Sequence, residues 1–220
     1  IAAPVPAAII ASEDRRFRRH DGVDWLAVAA AARARVTGDA SRGASTITMQ
    51  LAAFLAPELA QPGQRGWIQK LRQMRAALAL GDDWSRDEVL EAYLNLLPLR
   101  GEVQGIGAGA GALFGKPAAQ LSARDARLLA ALLPNPGASS AALARRACRG
   151  VAADECDALT AAAASLTSGT RALRGDPGLA PHLAVRLLDQ PGRRVTSTLD
   201  AAIQQRASAA LRRQLQALGE

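Results

Sequence analysis

A chain of 220 residues is long enough to bury one core and to carry part of a second domain. Hydrophobic residues make up 49% of it, mostly alanine and leucine, and aromatic residues only 3%, which favours helices over sheets. The net charge of +7 comes almost entirely from arginine, whose guanidinium groups suit phosphate or carboxylate partners. Nucleic acid is disfavoured because no zinc-ligand spacing, basic zipper or aromatic RNA-binding box accompanies the charge. We therefore expect a mainly α protein that meets an anionic membrane surface or a phosphorylated substrate.

Two features bear on the cellular compartment. No stretch reaches the length of a membrane span and the chain begins at Ile1, so we expect any signal or anchor to lie upstream of a cut fragment. Cys148 and Cys156 are eight residues apart, which fits neither a zinc site nor a CxxC redox motif. They could pair in an oxidising compartment and would remain two thiols in a reducing one.

The segment 9–22 combines a carboxylate pair, an apolar patch and a run of arginines. If the segment is helical, Glu13, Phe17 and His20 share one face, with apolar side chains a turn behind Glu13. A carboxylate placed against an apolar surface can transfer a proton near neutrality, and the arginines could hold an anionic substrate. The alternative is a solvated, salt-bridged helix end.

Three further segments are predicted from their composition and from the positions of helix-capping and helix-breaking residues. An Ala-rich helix extends over residues 23–36 and ends at Gly38, and Ser45 is available to cap a helix that opens at residue 46. Residues 56–66 contain two prolines and two glycines between apolar flanks, which is typical of a membrane-dipping flap or of an ordinary surface loop.

The segment 66–80 repeats apolar residues at helical spacing, so one side can pack while Lys70 and Arg72 face anions. Residues 85–88 have the Ser-x-x-Glu form of a capping box. The sequence at 105–110 satisfies a loose dinucleotide fingerprint, but no strand-like segment precedes it, so close helix approach through small residues is the better account.

The last third of the chain differs from the rest in composition and in apolar periodicity. Ser122 caps a further helix, after which Ala-, Arg- and Ser-rich segments lack strong apolar periodicity. Residues 193–200 have the only strand-like composition in the chain, and residues 201–218 are again helical in pattern. We therefore expect a short strand and helix at the C-terminus.

Four motifs in chain order resemble glycosyltransferase family 51, the peptidoglycan glycosyltransferase domain of class A penicillin-binding proteins. They are EDRRFRRHDGVD at 13–24, GASTITMQL at 43–51, SRDEVLEAYLN at 85–95 and LFGK at 113–116. Four ordered matches make coincidence very improbable. The Met49-Gln50 pair and KLRQM at 70–74 are most similar to the penicillin-binding protein 1C branch.

The resemblance implies a lysozyme-like helical fold and a division into three parts. Residues 1–140 would form the peptidoglycan glycosyltransferase domain and residues 141–192 linker helices. Residues 193–220 would be the truncated start of a transpeptidase domain, because RVTSTLD at 194–200 resembles the entry into it. The Ser-x-x-Lys nucleophile of that domain does not occur in the sequence.

The resemblance also implies an activity, the polymerisation of lipid II on the periplasmic side of the inner membrane. Glu13 would deprotonate the acceptor's sugar 4-hydroxyl, which attacks the anomeric carbon of the growing chain with inversion and expels undecaprenyl pyrophosphate. The implied partners are lipid II, the nascent glycan strand, the membrane surface and cell-wall synthesis proteins.

By the same resemblance, Glu13, Asp14 and Gln73 occupy catalytic positions, and no metal ligand is assigned. The implied substrate-binding residues are Phe17, His20, Ser45, Thr46, Thr48, Gln50, Lys70 and Arg72. For three of these a plainer role is also open, since His20 can make a structural bond, Phe17 can lie in the core, and Asp14 can cap a helix or orient Glu13.

Two positions depart from the family pattern. Gln73 stands where the family has a second glutamate, and Ala53 where it has a basic residue. An amide can donate a hydrogen bond but neither carries a proton for transfer nor ligates Mg²⁺ strongly, which puts a Mg²⁺-assisted leaving-group step in doubt. We expect a slow or partner-dependent polymerase; the alternatives are a non-catalytic module that binds glycan or lipid pyrophosphate, and a lysozyme-like hydrolase.

Overall fold

The structure is a computed structural model that describes residues 1–38, 43–59, 67–101, 103–168, 180, 183, 186–187 and 195–218. The helices are α1 (Pro4–Glu13), α2 (Trp25–Thr37), α3 (Ile47–Leu55), α4 (Trp67–Asp83), α5 (Arg86–Leu96), α6 (Gly105–Gly109), α7 (Ala123–Leu132), α8 (Ser140–Ala147), α9 (Ala153–Thr167) and α10 (Ala201–Leu218). Single 3₁₀ turns occur at Phe17–Arg19, Pro57–Leu59 and Ala118–Gln120, and a π-helical turn at Ala110–Phe114 follows α6. The mainly α class predicted from composition is confirmed.

The chain divides into two compact units, Ile1–Ala172 and Leu173–Glu220. In the second unit α10 extends over residues 201–218, and the strand predicted at 193–200 is wrong for residues 195–200, which have no regular structure. A strand needs a neighbour for its backbone hydrogen bonds, and among the described residues the one β-bridge joins Pro98 to Gln104. Asp200 instead accepts a hydrogen bond from the Ile203 amide and caps α10.

The core of the first unit lies where α1, α3, α5 and α7 meet, and it continues into α8 and α9. Burying each large aliphatic side chain contributes about 1.5–3 kcal/mol, so this cluster is the main source of the unit's stability. Its largest members have almost no solvent exposure: Ile9, Phe17, Ile47, Leu51, Tyr93, Leu97, Leu99, Ile106, Leu128, Leu129 and Leu143. A smaller cluster of Val23, Met49, Met74 and Ala77 joins α4 to α3.

Local hydrogen bonds set most of the helix starts. The capping box predicted at residues 85–88 is formed, and Ser122, predicted to cap a helix, forms a second capping box with Asp125. The cap predicted for Ser45 is wrong, because Thr46 accepts the hydrogen bond from the Met49 amide and so begins α3. Ser45 has a different partner, since its hydroxyl accepts a hydrogen bond from Lys70.

Close backbone approach explains the small residues at the start of α6. Gly105 has φ +79°, and a Cβ on it would collide with the carbonyl oxygen of Asn95 at the end of α5. No strand precedes α6 in the described part of the chain, so the interpretation as helix packing stands over the dinucleotide fingerprint.

Two predictions concern membranes. Most of the segment 56–66, expected to be a membrane-dipping flap or an ordinary surface loop, lies outside the described residues, which in this region include the 3₁₀ turn Pro57–Leu59. Among the residues described by the structure, no helix combines the length and the hydrophobicity that crossing a bilayer requires.

Candidate active site

A cleft of about 480 Å³ opens where the C-terminal end of α1 meets the start of α3. It brings together five residues that the sequence predicted for the site: Glu13, Asp14, Ser45, Thr46 and Gln50. The remaining lining residues are Ser12, Arg15, Arg16, Asp24, Ala27, Gly43, Ala44, Pro134 and Arg149. Three carboxylates, several hydroxyls, an amide and three guanidinium groups therefore share one concave surface.

The carboxylate of Glu13 is held from two sides. Glu13 is the last residue of α1 and is half-buried. The side-chain NH₂ of Gln50 donates to Glu13 Oε2 at 3.0 Å, and the Ser12 hydroxyl donates to Oε1 at 3.3 Å. With its carboxylate oriented by these donors and open to the cleft, Glu13 can accept a proton from a bound hydroxyl.

Behind Gln50 lies Tyr93, on α5. Its hydroxyl donates to Gln50 Oε1 at 3.0 Å, and its ring stacks on Phe54 at 5.7 Å between ring centroids. Burial, together with the charge of Glu13, raises the pKa of Tyr93 far above its ordinary value, so the phenol keeps its proton and remains a donor. Because that hydroxyl donates to the amide oxygen, the amide NH₂ is left facing Glu13.

Tyr93 is not among the site residues that the sequence predicted. The available signal was a phenol within an otherwise apolar helix face, since a buried tyrosine hydroxyl needs a hydrogen-bond partner. The partner itself could not be identified, because Gln50 is 43 residues away in sequence.

Asp14 joins three parts of the site. His20 Nε2 lies 3.0 and 3.1 Å from the two oxygens of the Asp14 carboxylate, and the Ile47 amide donates to Oδ2 at 3.0 Å. Asp14 and His20 are both buried. The condition under which Glu13, Phe17 and His20 would share one helix face is therefore not met: α1 ends at Glu13, and Asp14 turns away to bind the start of α3.

The position of the buried His20 ring is consequently fixed through Nε2. The other ring nitrogen, Nδ1, is buried and has no hydrogen-bond partner among the described residues. Phe17 packs edge-on against this ring, with centroids 6.4 Å apart. His20 thus holds the segment after Glu13 in place from within the protein.

Lys70 approaches the cleft from α4. Its ammonium group donates to the Ser45 hydroxyl at 2.5 Å, and Ser45 lines the cleft. Burial lowers the pKa of Lys70, because the charged form loses hydration. An anion bound beside Ser45 would restore the lost electrostatic stabilisation.

The remaining predicted residues have other placements. Thr46 donates to the carbonyl oxygen of Gly22 at 2.5 Å while capping α3. Phe17, His20 and Thr48 are buried and do not line this cleft, but they line a second cavity of about 290 Å³ beside the start of α5. Arg72 is exposed on α4 and is not part of the cleft lining.

Gln73 lies away from Glu13. Its side-chain NH₂ donates to the carbonyl oxygen of Leu59 at 2.6 Å, and it does not line the cleft. A divalent cation does not fit this donor set, because the amide is engaged by the chain and no group of three or more His, Cys, Asp or Glu in the described residues could hold a metal ion. The chemistry derived below therefore uses no metal.

The cleft also contains charged residues that are not among the predicted site residues. Arg16 forms an ion pair with Asp24 at the N-terminal end of α2, with 3.6 Å between Arg16 Nε and Asp24 Oδ2. Arg149 reaches the cleft from the loop between α8 and α9. Next to it, Cys148 and Cys156 form a disulfide, one of the two states that the sequence left open.

Comparison with known proteins identifies the family of this chain. The family model described as transglycosylase matches residues 1–154. The chain belongs to the transglycosylase family. All four motifs and the cleft residues up to Arg149 fall within the matched region.

Several relatives have related names. A biosynthetic peptidoglycan transglycosylase of Rhodospirillum centenum is 44% identical over 138 residues, which cover 62% of this chain and 57% of that protein. One from Pasteurella multocida is 41% identical over 136 residues, covering 62% and 54%. Penicillin-binding protein 1A of Mycobacterium tuberculosis is 36% identical over 132 residues, covering 60% of this chain and 16% of that protein.

The aligned part of this transglycosylase-family chain thus spans little more than half the length of the biosynthetic relatives. Its relatives include both biosynthetic transglycosylases and a penicillin-binding protein. Assignment to the penicillin-binding protein 1C branch stays a prediction.

Proposed function

We propose that this domain is an inverting peptidoglycan glycosyltransferase that polymerises lipid II. The observation that carries the proposal is the half-buried Glu13 carboxylate, which is oriented by Gln50 in a cleft within a transglycosylase-family domain. The names of the relatives support the same substrate class.

In the proposed reaction, Glu13 accepts the proton of the acceptor's sugar 4-hydroxyl as that oxygen attacks the anomeric carbon of the growing chain. The new glycosidic bond forms as the bond from the anomeric carbon to the pyrophosphate oxygen breaks, with inversion and release of undecaprenyl pyrophosphate. A general base of this kind typically contributes 10²–10⁴-fold to the rate. The hydrogen bonds from Ser12 and Gln50 keep the Glu13 carboxylate oriented towards the acceptor while it takes up the proton.

Negative charge develops on the leaving pyrophosphate and requires cations. Arg18, one of the arginines of the segment 9–22, pairs with Asp87 on the surface, and Arg72 is exposed, whereas Lys70 reaches the cleft wall through Ser45. A half-buried ammonium with a lowered pKa has much to gain from an anionic partner. We assign this task to Lys70.

The central experiment substitutes Glu13→Gln and measures chain growth from lipid II, with lipid II binding measured separately. We expect polymerisation to fall by about 10³-fold with little change in binding, because the amide keeps the shape but cannot accept the proton. The matched control is Glu91→Gln, an exposed carboxylate on α5 outside the cleft. Equal chain growth in Glu13→Gln and the wild type would remove Glu13 from the mechanism.

A second candidate function is a non-catalytic module that binds glycan or lipid pyrophosphate. It is favoured by Gln73, which occupies the place of the second glutamate and donates to the Leu59 carbonyl instead of facing the cleft. Binding of lipid II without turnover, unchanged by Gln73→Glu, would support this function. Cleavage of preformed glycan strands would point instead to the lysozyme-like hydrolase.

We further propose that the domain works at the periplasmic face of the inner membrane, with an anchor and cell-wall synthesis proteins as partners. The disulfide supports an oxidising compartment. Exposed apolar side chains on α4, Ile68 and Leu71, support contact with a lipid surface. Within the chain we propose the transferase domain at 1–140, linker helices at 141–192 and the start of a transpeptidase domain at 193–220.

A further inference from the structure

We propose that Arg149 binds an oxyanion of the substrate at the far edge of the cleft and that the Cys148–Cys156 disulfide positions it there. The inference rests on the proposed function only in taking the anion to be part of a lipid-linked sugar substrate. The family motifs do not include this arginine, which lies more than 30 residues beyond the last of them.

The backbone of Arg149 is held on three sides. Cys148 caps α8 and is linked by the disulfide to Cys156 in the first turns of α9. The guanidinium of Arg127, on α7, donates at 3.2 Å to the carbonyl oxygens of both Ala147 and Arg149. Gly150, with φ +71°, lets the chain reverse immediately afterwards. The loop between the two helices is therefore tied to α7, α8 and α9.

The side chain of Arg149 stands between two cavities. One is the cleft of Glu13, and the other is a groove of about 780 Å³ formed by α1, α7 and α8. Ser12, Arg15, Pro134 and Arg149 line both, so the two cavities adjoin each other along this edge. A substrate with its reacting centre at Glu13 could extend past Arg149 into the groove.

Most neighbouring arginines are already engaged. Arg16 is paired with Asp24, while Arg127 and Arg146 donate to main-chain carbonyl oxygens. In the described part of the chain, no hydrogen bond or ion pair uses the Arg149 guanidinium, which is exposed to solvent. Its planar fork of donors remains available.

Such a fork matches the paired oxygens of a phosphate or a carboxylate. A lipid-linked muramyl-peptide substrate carries both, in its pyrophosphate and in its peptide stem. The shared chemistry is an oxyanion bound by bidentate hydrogen bonds, and the two sources can be separated by the probe.

The disulfide matters because an exposed arginine side chain loses conformational entropy on binding, and a mobile main chain adds to that loss. Linking residues eight apart restricts the loop before the ligand arrives. We therefore expect the contribution of Arg149 to depend on the crosslink.

The test is calorimetric binding to two separate probes, inorganic pyrophosphate and an N-acetylmuramyl pentapeptide without phosphate. We expect Arg149→Gln to weaken binding of one probe by about tenfold or more, and Arg149→Lys to recover only part of the loss. The matched control is Arg145→Gln, an exposed arginine of α8 that lines neither cavity. The probe that is affected identifies the source of the oxyanion.

The positioning role is tested by combining substitutions. The background is Cys148→Ser/Cys156→Ser, shown to be folded by circular dichroism. In it, Arg149→Gln should weaken probe binding by a clearly smaller factor than in the wild type, because the loss of the disulfide and the loss of the guanidinium affect the same contact. Equal costs in both backgrounds would overturn the role of the disulfide.

Wild-type affinity for both probes in Arg149→Gln, or no binding of either probe by the wild type, would overturn the anion site. These outcomes are independent of turnover. Arg149-dependent binding in a chain that fails to polymerise lipid II would leave the site standing while the proposed function fails. If the chain polymerises lipid II but its probe binding does not depend on Arg149, the proposed function stands and the anion site is overturned.

Discussion

At the scale of single residues, the candidate site depends on the direction in which one amide points. Gln50 can face Glu13 with its NH₂ or with its oxygen, and only the first arrangement is attractive to a carboxylate. Tyr93 favours the first arrangement, because its buried phenol stays protonated and its hydroxyl can donate to the amide oxygen of Gln50. A residue without access to the cleft thus orients the proposed base.

We therefore expect Tyr93→Phe to lower kcat of polymerisation by about tenfold with little change in KM, since the loss concerns orientation of Glu13 and not substrate binding. The ring and its stacking on Phe54 are retained, which keeps the packing change small. Steady-state kinetics with lipid II measures both constants, and thermal unfolding checks the fold. A raised KM with unchanged kcat would contradict a role in orienting the base.

At the scale of elements, the loop that follows Glu13 is pressed against α4. Gly22 has φ +102°, and a Cβ on it would collide with the carbonyl oxygen of Ala77. Gly38, at the end of α2, also has a positive φ of +76°, but a Cβ there would meet nothing within 4 Å. A substitution at Gly38 therefore tests backbone strain alone, whereas one at Gly22 tests backbone strain together with a packing collision.

Gly38→Ala should lower the free energy of unfolding by about 1 kcal/mol, the cost of placing a Cβ at positive φ. Gly22→Ala should cost about 3 kcal/mol or more, because the loop must also move away from α4. Urea unfolding monitored by circular dichroism gives both values. Equal losses for the two variants would show that the loop is free to shift.

The start of α7 offers a prediction with a defined pH dependence. Burial alone would raise the pKa of Asp125, but hydrogen bonds from Lys116 and Ser122 outweigh it and lower the pKa below the ordinary value. A carboxyl group with a lowered folded-state pKa stabilises the fold above its unfolded pKa of about 3.9, and this contribution is lost as the pH falls through the folded-state value.

Asp125→Ala should accordingly reduce the free energy of unfolding by about 2 kcal/mol at pH 7, through loss of the capping box. The difference from the wild type should shrink as the pH falls below about 4. Denaturant titrations at several pH values measure this. For comparison, Asp87→Ala breaks an exposed ion pair with Arg18 and should cost less than about 1 kcal/mol. A pH-independent loss at Asp125 would contradict the electrostatic account.

At the scale of the whole molecule, a net charge of +7 and exposed apolar residues at one helix favour an anionic lipid surface. Ile68 and Leu71, both on α4, are 68% and 59% exposed. Arginine charge can bring the protein to the bilayer, and these side chains can then enter the headgroup region.

Sedimentation with phosphatidylglycerol vesicles should show binding that weakens as salt rises from about 0.05 to 0.5 M, because the Debye length shortens. Ile68→Ser/Leu71→Ser should weaken binding further at constant charge. Val36→Ser is the control, since Val36 is 89% exposed on α2. Equal losses from the control and the α4 variants would assign the effect to hydrophobicity in general and not to a specific surface.

The extent of sequence prediction differs between features of the molecule. Helices and two capping boxes followed from residues three or four apart, which interact within one turn. The break after Glu13 did not, because it depends on Asp14 accepting hydrogen bonds from His20 and from Ile47, 33 residues away. Likewise, strand-like composition at 195–200 had no partner strand among the described residues to pair with.

The amino-acid sequence by itself determined the helical class and the caps at Ser85 and Ser122, which rest on composition and on short-range spacing, where the interacting groups are neighbours along the chain. It also contains the four motifs, and their resemblance to glycosyltransferase family 51 implied the proposed base, Glu13. Only the tertiary structure decided which side chains face that base. It placed Tyr93 behind Gln50, engaged Gln73 away from the cleft and brought Arg149 to its edge. Such contacts join distant segments, and their partners are selected when the whole core packs.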